Sequence, residues 1–180
     1  SQTSNLKVAV DGIIKRSEQN NKYIGQGSNE NGLTLNTGTR TISNTSNQKG
    51  LSISSVYSKK LKKDGRTIIW NLTGTTNNDD TRGYLYAIND FFSTDGQIQS
   101  TQLVDQLKTV EISSQAVNNN ILYSEPISKS LNVGVNYRFG FIRNTNDRNS
   151  FNKSSTGDYD ELDTEFSSDF LTDQFSNQGG

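Results

Sequence analysis

Between Lys129 and Arg143 the chain alternates apolar and polar positions more regularly than anywhere else. Leu131, Val133, Val135, Tyr137, Phe139 and Phe141 occupy the odd numbers, and Asn132, Gly134, Asn136, Arg138 and Gly140 the even ones; Ile142 alone breaks the pattern. Successive side chains of a strand point to opposite faces, so this stretch predicts one long strand with an apolar face and a polar face fit to bear water. Leu131 to Phe141 is eleven residues, close to the roughly 9 to 11 that a tilted strand needs to cross a bilayer. The stretch therefore predicts a wall segment of a membrane β-barrel.

Weaker versions of the pattern precede it. Strands are predicted near residues 6–15, 51–58, 66–76, 116–125 and 129–143, separated by long polar loops at 17–50, 77–115 and 144–180. Asn31-Gly32 and Asp95-Gly96 mark hairpins inside the first two of these loops, and Asp64-Gly65 marks a tight reversal between the second and third strands. Pro126 cannot donate to a ladder and ends the fourth strand. The predicted fold class is all-β, an antiparallel up-and-down meander forming part of an outer-membrane barrel with long extracellular hairpin loops.

The reversals are expected to be short after strands two and four and long after strands one, three and five. Antiparallel neighbours then place all short turns at one rim and all long loops at the other, as in outer-membrane barrels. Tyr57 and Tyr123, just before short turns, are candidates for an inner aromatic girdle, and Tyr137, Phe139 and Phe141 for an outer one. Five strands cannot close a barrel when about eight is the smallest number known, so the chain is expected to be incomplete as a membrane unit. Its opening at Ser1, with neither an initiator Met nor a charged-then-apolar leader, is read as that of a processed or partial protein.

Composition fits this picture only if the chain is a barrel. A hydrophobic content of 29% and a mean hydropathy of -0.75 would otherwise argue for a solvated chain, but a barrel wall needs an apolar residue only at alternate positions. No run approaches the roughly 18 apolar residues of a membrane helix. Eighteen basic and nineteen acidic residues leave a net charge of -1 and no electrostatic case for nucleic acid.

Three stretches together carry a family likeness. Tyr57-Ser-Lys-Lys-Leu-Lys-Lys-Asp-Gly-Arg-Thr-Ile-Ile-Trp-Asn-Leu-Thr-Gly74, Tyr123-Ser-Glu-Pro-Ile-Ser-Lys-Ser-Leu131 and Thr156-Gly-Asp-Tyr-Asp-Glu-Leu-Asp163 resemble, in wording, order and spacing, the barrel region of Bacteroidetes-type outer-membrane β-barrel proteins related to TonB-dependent receptors. The resemblance covers most of the chain after about Gly50. It implies a bacterial outer-membrane location, a periplasmic face at the short turns and an extracellular face at the long loops. The partners it implies are outer-membrane lipid, the remaining barrel strands and plug of a full-length protein, and an unidentified transported ligand. Its motifs build barrels and supply no binding residue.

Catalysis has little to stand on. Without His or Cys neither the common triads nor the usual zinc sites can be assembled, and no catalytic residue, metal ligand or cofactor is assigned. Asp158, Asp160, Glu161, Asp163 and Glu165 could attract calcium but lack the glycine-punctuated spacing of a calcium loop, and read better as a solvated segment. Lys59, Lys60, Lys62 and Lys63 read as a turn meeting phospholipid headgroups rather than as a nucleic-acid patch. The candidate ligand-binding residues are Tyr84, Tyr86, Phe91 and Phe92, aromatics on a predicted extracellular hairpin able to stack on a sugar or pack against a surface partner.

The leading expectation is thus a non-catalytic segment of a TonB-dependent-receptor-like barrel, involved in nutrient uptake or surface binding. The alternative is a soluble extracellular β-sandwich that binds carbohydrate or protein. The two diverge on Leu131, Val133, Val135, Ile68, Trp70 and Leu72, which face lipid in the first and a second sheet in the other.

Overall fold

The polar stretches that look like loops are rich in threonine, whose branched Cβ fits a pleated strand. In the computed structural model, which describes residues 3–180, they are strands. The chain runs as β1 (Ser4–Ser28), β2 (Thr34–Lys60), β3 (Thr67–Phe92), β4 (Ile98–Pro126), β5 (Asn132–Lys153), β6 (Tyr159–Leu162) and β7 (Ser168–Gly179). The chain opening at Ser1 lies outside the described residues. All seven strands belong to one antiparallel sheet in the order β1-β2-β3-β4-β5-β6, with β7 also on β5. The sheet is an up-and-down meander that does not close on itself, and no helix occurs among the described residues.

This changes the predicted organisation in two ways. The stretches 17–50, 77–115 and 144–180 are not loops: they are the far halves of strands 22 to 29 residues long, plus a sixth rail made of β6 and β7. Nor do short and long reversals alternate. Each of the five gaps between consecutive rails, at 29–33, 61–66, 93–97, 127–131 and 154–158, is five or six residues. What distinguishes the two ends of the sheet is where the apolar residues lie along the strands, beside the 61–66 and 127–131 turns.

Three reversals share one construction. Gly32, Gly96 and Gly157 donate to the carbonyls of Asn29, Ser93 and Ser154, each at 3.0 Å, and Asn29, Ser93 and Ser154 donate in turn to Leu33, Gln97 and Asp158. The glycines adopt φ of 80°, 78° and 93°, and Gly65 at the 61–66 turn adopts 80°. A type I turn followed by a left-handed residue is a favoured hairpin closure, and glycine adopts that conformation without steric cost. The Asn-Gly and Asp-Gly signals in the sequence mark three of these four turns.

The sixth rail breaks where its chain turns a corner. β6 pairs with the end of β5 through Phe151↔Leu162, and β7 pairs further down through Tyr137↔Gly179 to Arg148↔Ser168. Residues 163–167 between them are pinned to the sheet. Asp163 N donates to Ser150 O at 2.8 Å, the Asp163 carboxylate accepts from Gln106 and Asn152, and Ser150 N donates to Ser167 Oγ at 3.0 Å. Gln106 and Ser150, beneath this corner, are among the few buried residues. The acidic segment 158–165 is therefore a short strand and a hydrogen-bonded corner, in which Asp158, Asp160, Glu161 and Glu165 are exposed.

Replacing Gly32, Gly65 or Gly96 by alanine places a Cβ in the left-handed region and should cost roughly 1 kcal/mol per turn. A urea titration of each variant followed by far-ultraviolet circular dichroism should show a lowered midpoint, while Gly25→Ala, at a glycine without positive φ, should stay near wild type.

Candidate functional site

Residues directly opposite one another across the strands form rungs, and alternate rungs point to opposite faces. One rung runs Leu6, Tyr57, Trp70, Ile121 and Tyr137. The same face carries Val10, Ile53, Gly74, Val117, Phe141 and Phe175 two rungs on, with Val8, Leu72 and Phe139 between. The register therefore gathers the apolar residues of six rails into one continuous band. Among the described residues nothing covers it: there is no second sheet, and Leu6, Val10 and Phe175 are 61%, 61% and 65% exposed. A sandwich core, as the alternative expectation required, is not formed. Asn119 is polar within the band but accepts a hydrogen bond from the Trp70 indole N–H.

Charged groups bound the band at both ends. Near the 61–66 and 127–131 turns, Glu125 receives Lys63 Nζ at 2.7 Å, a two-toothed grip from Arg66 at 2.6 and 2.9 Å, and the hydroxyl of Tyr123. These donors, Arg66 first, hold the Glu125 carboxyl well below its ordinary range. At the other end Arg143 grips Asp173 through two 2.7 Å bonds. Beyond it, Arg16, Asn47, Asp80, Glu111, Asp147 and Asp169 lie on one rung. A depression of about 850 Å³ lies here, but no group of carboxylates among the described residues is arranged to hold a metal ion.

These limits are not level. Arg16 bounds the band on β1, and its rung reaches β5 at Asp147; the limit on β5 is Arg143, four residues nearer the 127–131 turn. On β3 and β4 the first charges on this face, Asp80 and Glu111, lie on the Arg16 rung itself, so the upper edge steps down at β5 rather than sloping evenly across the sheet. The lower edge descends the same way, since Lys59 shares a rung with Val135 while Val133 and Leu131 continue below it.

The opposite face at the height of the band is polar. One rung carries Lys7, Val56, Asn71, Asn120, Arg138 and Gln178. A depression of about 500 Å³ is lined there by Asn71, Asn118, Asn120, Arg138, Gly140 and Gln178. The Oδ1 atoms of Asn120 and Asn136 are buried here without a protein partner.

The aromatics singled out in the sequence do not form one cluster. Tyr84 and Tyr86 lie on the Trp70 face, well beyond the band, whereas Phe91 lies on the Arg138 face and Phe92 at a register shift opposite Ile98. Tyr84 meets Tyr159 of β6 edge-on at 5.4 Å, and the Tyr159 hydroxyl donates to Asp105 at 2.6 Å, with Lys153 3.3 Å from the same carboxylate. Asp105 raises the Lys153 and Tyr159 pKa values. Tyr84 thus fastens β6 to the sheet. Of the girdle candidates, Tyr57 and Tyr137 share a rung with Trp70, Tyr123 lies one rung nearer the 61–66 and 127–131 turns, and Phe141 packs on Phe175 at 4.8 Å. Arg138, Asp173 and Phe175 were not among the sequence candidates: the first reads as one residue of a polar alternation, and β7 holds too few apolar residues to stand out.

No family model matches the chain, and no curated protein matches it.

Because the Glu125 pKa is depressed in the fold, its ion pairs stabilise above the ordinary glutamate value of about 4.3, and that contribution is lost as pH falls below it. Unfolding midpoints measured from pH 7 downward should therefore fall in acid for wild type. The fall should be shallower for Glu125→Gln, which begins less stable at pH 7.

Proposed function

We propose that this chain is a wall segment of an outer-membrane β-barrel related to TonB-dependent receptors, acting in uptake or surface binding and carrying no catalytic step. The apolar band on the Trp70 face, uncovered among the described residues and backed by a polar face, supports this reading most directly. In a membrane barrel the strands tilt by about 35–45° to the membrane normal, so a band parallel to the membrane must cut the rungs at that angle. On the Trp70 face both edges of the band descend toward β5, as a tilt of about 35° or more requires. The thickness agrees too: Leu131 to Phe141, inclined by that angle, spans about 27 Å, against about 25 Å for the apolar belt of such barrels.

On this reading lipid covers the Trp70 face between Leu6 and Phe175, and the amide-rich Arg138 face lines an aqueous lumen. Lys59, Lys60, Lys62 and Lys63 lie at the periplasmic headgroups, and the β1–β2, β3–β4 and β5–β6 hairpins extend outside the cell. The outer edge of β1 and that of the β6–β7 rail are left unpaired by this chain; further strands of the barrel, with its plug, are the partners that would occupy them.

The absence of cysteine makes the orientation testable. In cells that display the protein in their outer membrane, Thr94→Cys at a far hairpin should react with a membrane-impermeant maleimide in intact cells. Asp64→Cys should react only after the outer membrane is opened. Equal labelling of both in intact cells would contradict the reading.

A further inference from the structure

We propose that the depression at the far end of the β1–β2–β3 hairpins binds one pyranose ring of a neutral saccharide. The proposal deepens the surface-binding reading above and rests on it only for the side of the membrane that the site faces.

Three consecutive rungs of the Arg138 face build the site. The first holds Gly27, Asn36 and Phe91, the second Gly25, Gly38 and Asn89, and the third, nearer the membrane, Tyr23, Arg40 and Ala87. The first two enclose about 390 Å³, within the roughly 300–1,000 Å³ of small-molecule sites. Three of the six side-chain positions on this floor are glycine, so the backbone itself is the floor. The space above it is partly reserved: a Cβ on Gly27 would lie 2.5 Å from Asn36 Oδ1, and one on Gly38 2.6 Å from Asn89 Oδ1. Each asparagine lies across its neighbouring glycine, and Asn36 Oδ1 is held there by the Gly27 N–H at 3.0 Å. Asn36 Nδ2 is left to donate elsewhere. Over Gly25 there is open space, with no heavy atom within 4 Å of where a Cβ would be.

The chemistry of the lining selects its ligand. No charged side chain lines the depression itself, and Arg40 is the one cation on its three rungs. Phe91, 38% exposed, presents an aromatic wall, and the ring faces of sugars offer apolar C–H surface to such a wall. Amide groups that both donate and accept, that of Asn36 fixed in direction by the Gly27 N–H, match the vicinal hydroxyls of a pyranose. Tyr23, 55% exposed on the same face, stands nearer the membrane and would meet a second sugar unit. The depression therefore combines stacking surface, amides and an open floor, whereas the depression around Arg138 has no aromatic on its face.

The test uses the full chain refolded in detergent micelles, with maltose, cellobiose and lactose as probes and saturation-transfer difference NMR as the readout. At least one disaccharide should receive transferred saturation from wild type. Phe91→Ala should weaken that binding by about tenfold, the scale of one lost aromatic contact. Gly25→Val, whose Cβ has no heavy atom within 4 Å, should do the same by filling the open floor, and Tyr86→Ala on the other face should leave binding unchanged. Matching circular dichroism establishes that each variant keeps its strands. Absence of transfer from all three sugars to folded wild type, or binding that survives both Phe91→Ala and Gly25→Val, overturns the proposal. Cysteine labelling judges the membrane orientation separately: sugar binding with failed labelling removes the location and leaves the site, and correct labelling without sugar binding does the reverse.

Discussion

Cross-strand pairing carries this fold almost alone. A single-layer sheet has no core to fill, and Ala87 and Leu107 are the only hydrophobic residues that become buried among the described residues. The hydrophobic effect within the chain is therefore small, and what fixes one structure is the register of strands 22 to 29 residues long. A slip by one residue would turn every side chain to the other face. Tight turns prevent that slip. Glycines with positive φ close four of the five reversals, and the antiparallel ladder propagates each closure along two strands with only isolated irregularities, such as those at Gly27/Ser28 and Phe91/Phe92.

From that register comes the separation of faces. Leu6, Ile53, Trp70, Ile121 and Phe139 belong to five different strands, yet pairing sets them in one band, while Asn71, Asn120 and Arg138 are aligned on the reverse. The uncovered band would be a liability in water, where exposed apolar patches of this extent lead to association. In a bilayer it is the surface that anchors the sheet. The charge grips at Glu125 and Arg143 lie where the band ends, so the electrostatics agree with the hydropathy about where the apolar phase would stop.

Much of this was legible in the sequence, and the limit of legibility has a physical cause. The alternation from Leu131 to Phe141 marked β5, and Asn31-Gly32, Asp64-Gly65 and Asp95-Gly96 marked three turns correctly, because both signals are local. The far halves of the strands were read as loops because strand prediction leans on buried apolar residues. Stretches such as Thr34–Asn47 have Thr, Ser and Asn on both faces; they are strands because their partners hold them so. β7 escaped notice for the same reason, with Leu171 and Phe175 separated by Thr172, Asp173 and Gln174. The separation of Tyr84 from Phe91 was also hidden, although seven positions apart in one strand means opposite faces. Only recognising that both belong to an uninterrupted β3 exposes it.

The claim that an apolar phase covers the Trp70 face is tested most directly by Trp70 itself, the single tryptophan of the chain, which lies in the band between Tyr57 and Ile121. Its fluorescence should be recorded in phospholipid vesicles carrying quenchers at known depths. The account predicts strong quenching from within the acyl region and little from the headgroup level. A blue-shifted Trp70 that no lipid quencher reaches, in a protein that stays monomeric in buffer, would place the residue in a protein core and contradict the account.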